Sequence, residues 1–364
     1  MKRKNIIPAL LAITLMFTMT ACVKQEKKTT IKEPGKTITV IDDSKEEENK
    51  PAISVDWIER FDKVDITDWL DEDTVMVSKD NETLDKMSLS ELSGQYPKSL
   101  YRLNLVTKEY ELVKEQKDVF LGGASLSKDK KYLLYSEYSL GDPAYFIMNL
   151  DTNESFGIMG EPIGGAQSAA WTDNDTVIGA AYSGGAYLAD RSGKITSLDD
   201  LKDEALYLVA KVKDQIYYNT QYDGSIMKLD LTTKEKTSLD FGQVTGLLPS
   251  YDGNQMLIIQ TDSTRSTLLV YDIESGKKIE IAKGSELYGV SWSPDQRRIS
   301  YCLKEDQNDA TANSLYVYDI LTGVATRVAV NTSSYRTSWS PSGEKLAFTQ
   351  YDGTQYNSNI IYFK

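Results

Sequence analysis

Histidine is absent from this chain of 364 residues, and cysteine occurs only at positions 22 and 302. Ser-His-Asp and Cys-His catalysis and the common zinc sites all need His, so its absence excludes them. Cys302 stands between Tyr301 and Leu303 on a predicted strand, and we interpret it as a small buried side chain. We therefore expect no cofactor and no activated Ser or Cys nucleophile.

Amphipathic helical stretches are also scarce. A two-domain α/β protein would need helices of about 10 to 15 residues between its strands, and only residues 82–95 have a comparable pattern. The chain instead contains 23 Tyr and 23 Gly. Frequent aromatic residues and turn formers are typical of many short strands, so the sequence favours an all-β fold.

One phrase occurs in two near copies, which begin at Trp292 and Trp339. The first reads Trp-Ser-Pro-Asp-Gln-Arg-Arg-Ile and the second Trp-Ser-Pro-Ser-Gly-Glu-Lys-Leu. In each, the Trp ends a predicted strand, the polar residues form a turn, and an apolar residue starts the next strand. Weaker copies have apolar residues seven positions apart: Trp69 with Met76, Leu126 with Leu133, Trp171 with Ile178, Val209 with Ile216, and Pro249 with Met256.

These anchors recur mostly every 40 to 47 residues or so, which is about the period of four-stranded propeller blades. We predict a β-propeller of seven four-stranded blades, with six as the alternative. The last repeat lacks an outer strand, and propellers commonly complete such a blade with a strand from the other end of the chain. We therefore predict that residues 53–58 pair with residues 359–363.

The first 22 residues have the pattern of an export signal. Lys2, Arg3 and Lys4 precede an apolar run over residues 6–19 that is too short for a stable membrane span. The following Met19-Thr20-Ala21-Cys22 resembles a bacterial lipobox, which implies lipidation of Cys22 and removal of residues 1–21. Residues 22–50 are rich in charge and are predicted to be a disordered tether, with residues 51–364 as a single propeller domain.

The repeats also carry a family resemblance. The two Trp-Ser-Pro phrases, followed by Leu315-Tyr-Val-Tyr-Asp319, resemble the WD40-like repeat of the TolB type. Together with the lipobox, the arrangement is similar to that of YqgU-like propeller lipoproteins of Gram-positive bacteria. The resemblance implies a propeller on the extracytoplasmic face of the bacterial cell membrane and implies no particular reaction.

Candidate binding residues lie in the loops between the second and third strands of the repeats, which share one face of a propeller. Tyr and carboxylate side chains at a channel mouth can bind sugars, peptides or cations. Alternatively, Tyr at strand ends packs between blades, and Asp caps turns. The candidates are Tyr138, Asp142, Tyr182, Tyr222, Asp223, Asp262, Arg265, Glu305, Tyr351 and Asp352.

Two further features concern metals and the first repeat. The acidic stretches 71–73 and 173–175 lack the calcium-loop pattern of EF-hands and are interpreted as turns, so we expect no metal site. Residues 80–98 form an insertion whose apolar residues have helical spacing, and they predict a short helix over the binding face. Those residues are Leu84, Met87, Leu89 and Leu92.

Charge limits the set of partners. The net charge of −13 becomes −16 without Lys2, Arg3 and Lys4, so nucleic acid and anionic headgroups are poor partners. Attachment to the membrane is left to the acyl chains on Cys22. We expect a monomeric, non-catalytic module that binds an envelope protein, peptide or glycan. The alternative is a carboxylate-dependent carbohydrate-active hydrolase or lyase at the channel mouth.

Overall fold

The computed structural model describes residues 28–33, 36–41, 53–304, 313–332 and 336–364. The chain divides into two compact units, residues 1–50 and residues 51–364. In the first unit, β1 (Lys28–Glu33) pairs with β2 (Lys36–Ile41) in an antiparallel hairpin. Within residues 22–50, only residues 37–41 alternate in sequence like a strand, and these lie in β2. The sequence pattern does not predict β1.

The second unit begins with β3 (Val55–Phe61) and continues as a series of four-stranded antiparallel sheets. Sheet 1 contains β4 (Asp65–Trp69), β5 (Thr74–Asp80), β6 (Lys98–Asn104) and β7 (Tyr110–Lys114). Sheet 2 contains β8 (Phe120–Leu126), β9 (Tyr132–Tyr138), β10 (Ala144–Asn149) and β11 (Ser155–Gly157). One parallel bridge, between Lys98 and Phe120, joins these two sheets. A small hairpin follows, made of β12 (Met159–Gly160) and β13 (Gly164–Gly165).

The remaining sheets repeat the same order of strands. Sheet 3 contains β14 (Ala170–Trp171), β15 (Thr176–Ala180), β16 (Ala186–Asp190) and β17 (Ile195–Leu198). Sheet 4 contains β18 (Leu206–Val212), β19 (Gln215–Thr220), β20 (Met227–Asp230) and β21 (Lys236–Ser238). Sheet 5 contains β22 (Val244–Pro249), β23 (Gln255–Thr261), β24 (Ser266–Asp272) and β25 (Lys278–Gly284). Sheet 6 contains β26 (Glu286–Trp292), β27 (Arg298–Lys304), β28 (Asn313–Asp319) and β29 (Val324–Val330). Sheet 7 contains β30 (Arg336–Trp339), β31 (Lys345–Tyr351) and β32 (Tyr356–Phe363), with β3 as its fourth strand.

Helical structure in the described ranges is limited to two short 3₁₀ turns, Ser90–Leu92 and Asp199–Leu201. No helix there has the length and hydrophobicity that a bilayer-spanning segment needs. The core lies between neighbouring sheets. Leu257 and Leu268 of sheet 5, for example, pack in one apolar cluster with Trp292 of sheet 6.

Three of the recurring Trp residues link their sheet to a neighbouring sheet by a hydrogen bond. The indole Nε1 of Trp69 donates to the Ser338 carbonyl oxygen at 3.0 Å, which joins sheet 1 to sheet 7. Trp171 donates to Ser125 of sheet 2 at 3.1 Å, and Trp292 donates to Leu248 of sheet 5 at 3.2 Å. Trp339 is also buried, but its Nε1 has no hydrogen-bond partner among the described residues.

The Ser-Pro-Asp phrase forms the predicted turn. Ser293 Oγ donates to Asp295 Oδ1 at 2.5 Å and accepts from the Arg298 backbone N–H at 2.8 Å. Ser340 occupies the same place in the second copy, where its Oγ accepts from the Lys345 N–H at 3.2 Å. The two copies therefore close equivalent turns by equivalent side-chain hydrogen bonds.

The outer edge of sheet 7 is occupied by β3. Its register runs from Val55 opposite Phe363 to Phe61 opposite Ser358, and the Lys364 N–H donates to the Ser54 carbonyl at 2.9 Å. The sequence predicts pairing over a similar stretch, residues 53–58 with residues 359–363. The paired segment in the structure extends three residues further along β3, to Phe61.

Two sequence predictions are wrong. Val209 does not end a strand, because β18 continues to Val212 and turns at Lys213, whose φ is +52°. Residues 82–95 form no helix beyond the 3₁₀ turn at Ser90–Leu92. Their apolar spacing instead serves packing, since Met87 and Leu92 are buried against Phe120.

Candidate functional site

A group of charged and aromatic side chains lies where the first strands of the sheets begin, at the end that also carries the second-to-third-strand loops. We call it the mouth cluster: Asp65, Lys98, Tyr138, Arg336 and Tyr356. Asp65 opens β4 and Arg336 opens β30, and their side chains lie 3.6 Å apart between Oδ2 and Nη1. The cluster therefore draws on sheets 1, 2 and 7.

Aromatic rings and a second cation complete the cluster. The Lys98 Nζ lies 5.5 Å from the ring centroid of Tyr356 and 3.4 Å from Asp80. The Tyr138 ring lies 5.5 Å from that of Phe120, which opens β8. Met87 and Leu92 pack on Phe120 and Tyr138, so the insertion at residues 80–98 forms one wall of this region.

The Asp65 side chain is 23% exposed. Its partial burial raises the pKa of the carboxyl above its ordinary value, although Arg336, a hydrogen bond from Thr349 and Lys98 all act in the opposite direction. Burial also raises the pKa of Tyr138, and the neighbouring Tyr356 and Asp65 raise it further. Groups with perturbed pKa values beside cations are typical of functional sites.

The structure brings one predicted residue, Tyr138, into the mouth cluster and places a second beside it. Tyr351 ends β31, and its ring centroid lies 5.1 Å from that of Tyr356. Both Tyr351 and Tyr356 are exposed. They provide an accessible aromatic surface next to the Asp65–Arg336 pair.

Three of the predicted carboxylates cap their own turns. Asp352 accepts hydrogen bonds from the Thr354 hydroxyl and from the backbone N–H groups of Thr354 and Gln355, and these bonds hold its pKa below the ordinary value. Asp223 accepts from Ser225, and Asp262 accepts from Thr264 and Arg265, and their pKa values are lowered for the same reason. Turn chemistry, the alternative interpretation, thus accounts for these residues.

The remaining predicted residues are more dispersed. Burial and the nearby Asp142 carboxylate raise the pKa of Tyr182, so these two side chains lie close together on sheets 2 and 3. Arg265 is exposed in the turn that Asp262 caps. Tyr222 is 89% exposed and contributes to no wall of the site. Glu305 and Cys22 lie outside the described residues.

A polar cleft on the same face was missed by sequence reasoning. It lies between sheets 4 and 5 and has a volume of about 270 Å³. Tyr207 is missed because it lies in Leu206-Tyr207-Leu208-Val209, an unbroken apolar run that gives no indication of which side chain faces solvent. The lining residues are Tyr207, Thr220, Gln221, Gly224, Gln243, Val244 and Thr245.

Potential metal ligands do not cluster in the part of the chain that the structure describes. No group of three or more Cys, Asp or Glu side chains is arranged there to hold a metal ion. Asp71, the first residue of an acidic stretch singled out above, accepts from the Asp73 N–H at 2.8 Å, as a turn residue does.

No protein-family model and no curated protein match the sequence. Solved structures do match the fold. An oligogalacturonate lyase in complex with manganese aligns over 84% of this chain and 98% of its own, at 14% identity and a TM-score of 0.58. The Cps50 (Swd1) β-propeller domain of Myceliophteria thermophila aligns over 84% and 99%, at 13% identity and a TM-score of 0.54. TolB from Acinetobacter baumannii aligns over 79% and 63%, at 14% identity and a TM-score of 0.48.

The fold shared by the first two structures is the β-propeller, and this chain has it. At 13% to 14% identity the similarity shows the fold alone and gives no information about substrates. The propeller predicted from the Trp repeats is therefore confirmed. The similarity to YqgU-like lipoproteins stays a prediction.

Proposed function

We propose that this protein is a lipid-anchored propeller on the extracytoplasmic face of the cell membrane, and that it binds an envelope ligand non-catalytically at the mouth cluster. The observation that carries the proposal is the Asp65–Arg336 pair, 3.6 Å apart at the strand ends that also carry Tyr138 and Tyr356. Partial burial raises the pKa of Asp65 in spite of this partner, so ionisation of the carboxyl is not favoured by the pair alone. The arrangement is thus suited to exchanging partners with a ligand.

The chemistry of the cluster suits a polar ligand with both donors and acceptors. Carboxylates of Asp65 and Asp80 alternate with the cations of Arg336 and Lys98. The exposed Tyr356 adds an aromatic face and a hydroxyl group. Peptides and glycans of the cell envelope have this combination of groups.

The test is a thermal-shift screen of the full chain, purified from membranes in mild detergent, against muropeptides, short peptides and neutral and acidic oligosaccharides. A ligand that binds only the folded state raises the melting temperature. We expect Arg336→Gln to abolish the shift for a mouth ligand, with Arg265→Gln, an exposed Arg on another loop, as the matched control. A shift that survives Arg336→Gln and Asp65→Asn would overturn the mouth site.

The anchor has its own test. Cys22→Ser removes the thiol that the lipobox resemblance predicts to be acylated. We expect radiolabelled palmitate to enter the wild-type protein only, and the variant to leave the membrane fraction. Equal labelling of both proteins would contradict the anchor.

We also propose that sheets 1 to 7 are seven blades of a closed ring. Three contacts between sheets 1 and 7 support this: the Trp69 bond to Ser338, the Ile66 N–H bond to Ser358 Oγ at 2.8 Å, and the shared apolar cluster that contains Ile66 and Ile360. The strand β3 then completes the seventh blade.

A carbohydrate-active enzyme is the second candidate, and the raised pKa of Asp65 is what favours it. A carboxyl that stays protonated closer to neutral pH can act as a general acid. Incubation of bound oligosaccharides with the protein, followed by assay for new reducing ends or unsaturated products, separates the two functions. Turnover that disappears in Asp65→Asn would establish the enzyme, and binding without turnover would support the non-catalytic module.

A further inference from the structure

The cleft between sheets 4 and 5 is lined by polar and aromatic groups without a charged side chain. Tyr207 provides an aromatic ring that is 52% exposed. Gln221 and Gln243 provide amides, and Thr220 and Thr245 provide hydroxyl groups. In a protein of net charge −13, a solvent-facing cleft without charged lining is a distinctive surface.

Two adjacent strand irregularities build the cleft. The ladder between β18 and β19 shifts register between Leu206 and Leu208, and the ladder between β22 and β23 shifts between Val244 and Gly246. The extra residues at these β-bulges are Tyr207 and Thr245. Similar shifts recur in the first strands of sheets 1, 2 and 6, and in sheets 4 and 5 the bulged residues line the cleft.

A buried amide holds the two bulges together. Asn219 is 1% exposed, accepts from the Leu208 N–H at 2.9 Å and donates to the Val244 carbonyl at 2.8 Å. The backbone beside Tyr207 is thereby tied to the backbone beside Thr245. The aromatic wall and the hydroxyl wall of the cleft are pre-organised, which lowers the entropic cost of binding.

The amides of the cleft are available for a ligand. Within the described residues, neither the Gln221 nor the Gln243 side chain makes a hydrogen bond. Gln243 packs against Gly224, where its Cγ would lie 3.1 Å from a Cβ added to that glycine. The Gln243 amide is thus positioned by packing while its donors and acceptor stay exposed.

We propose that this cleft binds one neutral sugar residue of a glycan. The Tyr207 ring stacks on the apolar face of the pyranose, and the Gln and Thr side chains hydrogen-bond to its hydroxyl groups. The absence of charged lining disfavours ionic ligands. The volume of about 270 Å³ is slightly below that of sites for drug-sized ligands, which suits a single sugar ring. This site is separate from the mouth cluster and does not depend on it.

The test is isothermal titration calorimetry of the full chain with two neutral probes, chitotetraose and maltotetraose. We expect at least one of them to bind. Tyr207→Ala should weaken that binding about tenfold or more, whereas Tyr207→Phe, which keeps the ring, should remain within about twofold of the wild type. Gln243→Ala should weaken it by a smaller factor.

Tyr222→Ala is the matched control, because Tyr222 is exposed on the same loop as Gln221 and does not line the cleft. The melting temperature of each variant verifies folding. Failure of both probes to bind, or binding that survives Tyr207→Ala, would overturn the inference. Binding abolished by Arg336→Gln but not by Tyr207→Ala would place the sugar at the mouth cluster, which would support the proposed function and refute the separate cleft site.

Discussion

Aspartate side chains on one face of the propeller have opposite pKa shifts, and their hydrogen-bond donors explain why. Asp352 is exposed and caps its own turn with backbone and hydroxyl donors, so its ionised form is stabilised. Asp65 is partly buried, and the loss of hydration outweighs its neighbouring cations. Sequence patterns locate the first kind of Asp, because Asp352-Gly353 is a turn signal. They do not locate the second kind, because its burial depends on other sheets.

The opposite shifts predict opposite pH effects on stability. The pKa of Asp65 is raised in the folded state, so ionisation of its carboxyl destabilises the fold. The contribution of this carboxyl to the free energy of unfolding is fully present below pH 3.8 and is lost as the pH rises. We expect Asp65→Asn to gain stability relative to the wild type between about pH 3 and pH 7. For Asp352, whose pKa is lowered, the contribution is present above pH 3.8 and is lost in acid. Asp352→Asn should therefore lose stability relative to the wild type over the same range.

Urea unfolding of the three proteins at several pH values measures both effects. Asp352→Asn is the matched control for Asp65→Asn, since both remove one carboxylate from the same propeller face. Parallel pH profiles for the two variants would contradict the assignment.

At the scale of strands, the sequence is most informative where side chains close a turn locally. Ser293 and Ser340 fix their turns by contacts within five residues, so the sequence predicts both turns of the Trp-Ser-Pro phrase correctly. The turn at Lys213-Asp214 contains no Pro, Gly or Ser, so the sequence pattern predicts its position wrongly. The mouth cluster cannot be predicted from the sequence, because its residues are far apart along the chain. Asp65 and Arg336 are separated by 271 positions, and they come together only where sheets 1 and 7 meet.

The Trp residues offer a test of the hydrogen bonds between sheets. Trp69→Phe removes ring area and also the bond to the Ser338 carbonyl, whereas Trp339→Phe removes ring area and an indole N–H that has no partner among the described residues. Both Trp side chains are buried. We expect Trp69→Phe to lower the free energy of unfolding by about 1 kcal/mol more than Trp339→Phe, because the partly buried Ser338 carbonyl loses a donor whereas Trp339 loses only an unpaired N–H. Equal losses in denaturant unfolding would show that the indole N–H adds nothing to packing.

For the molecule as a whole, the pairing of β3 with β32 makes stability depend on both ends of the domain. Buried side chains from both ends share clusters: Phe61 with Ile360, and Ile53 with Ile361. Without β3, the outer edge of β32 would be exposed as an unpaired strand. The sequence predicts this pairing because the last repeat lacks a strand, but it does not predict the register.

Deletion of residues 51–60 tests the closure of the ring. We expect the truncated protein to lose its cooperative unfolding transition, because sheet 7 loses its outer strand and its contacts with sheet 1 weaken. A variant in which residues 42–50 are replaced by a Gly/Ser linker of the same length is the control, and it should melt like the wild type. An unchanged melting transition after the deletion of residues 51–60 would refute the closure.

The same pairing sets the order of events during biosynthesis. Residues 55–61 leave the ribosome early, but their partner strand follows after nearly 300 further residues. Throughout that interval β3 has no partner within its own sheet, and the domain cannot reach its final form. Sheet 7 is therefore completed late in synthesis, and until then β3 is an unpaired strand that other strands could bind.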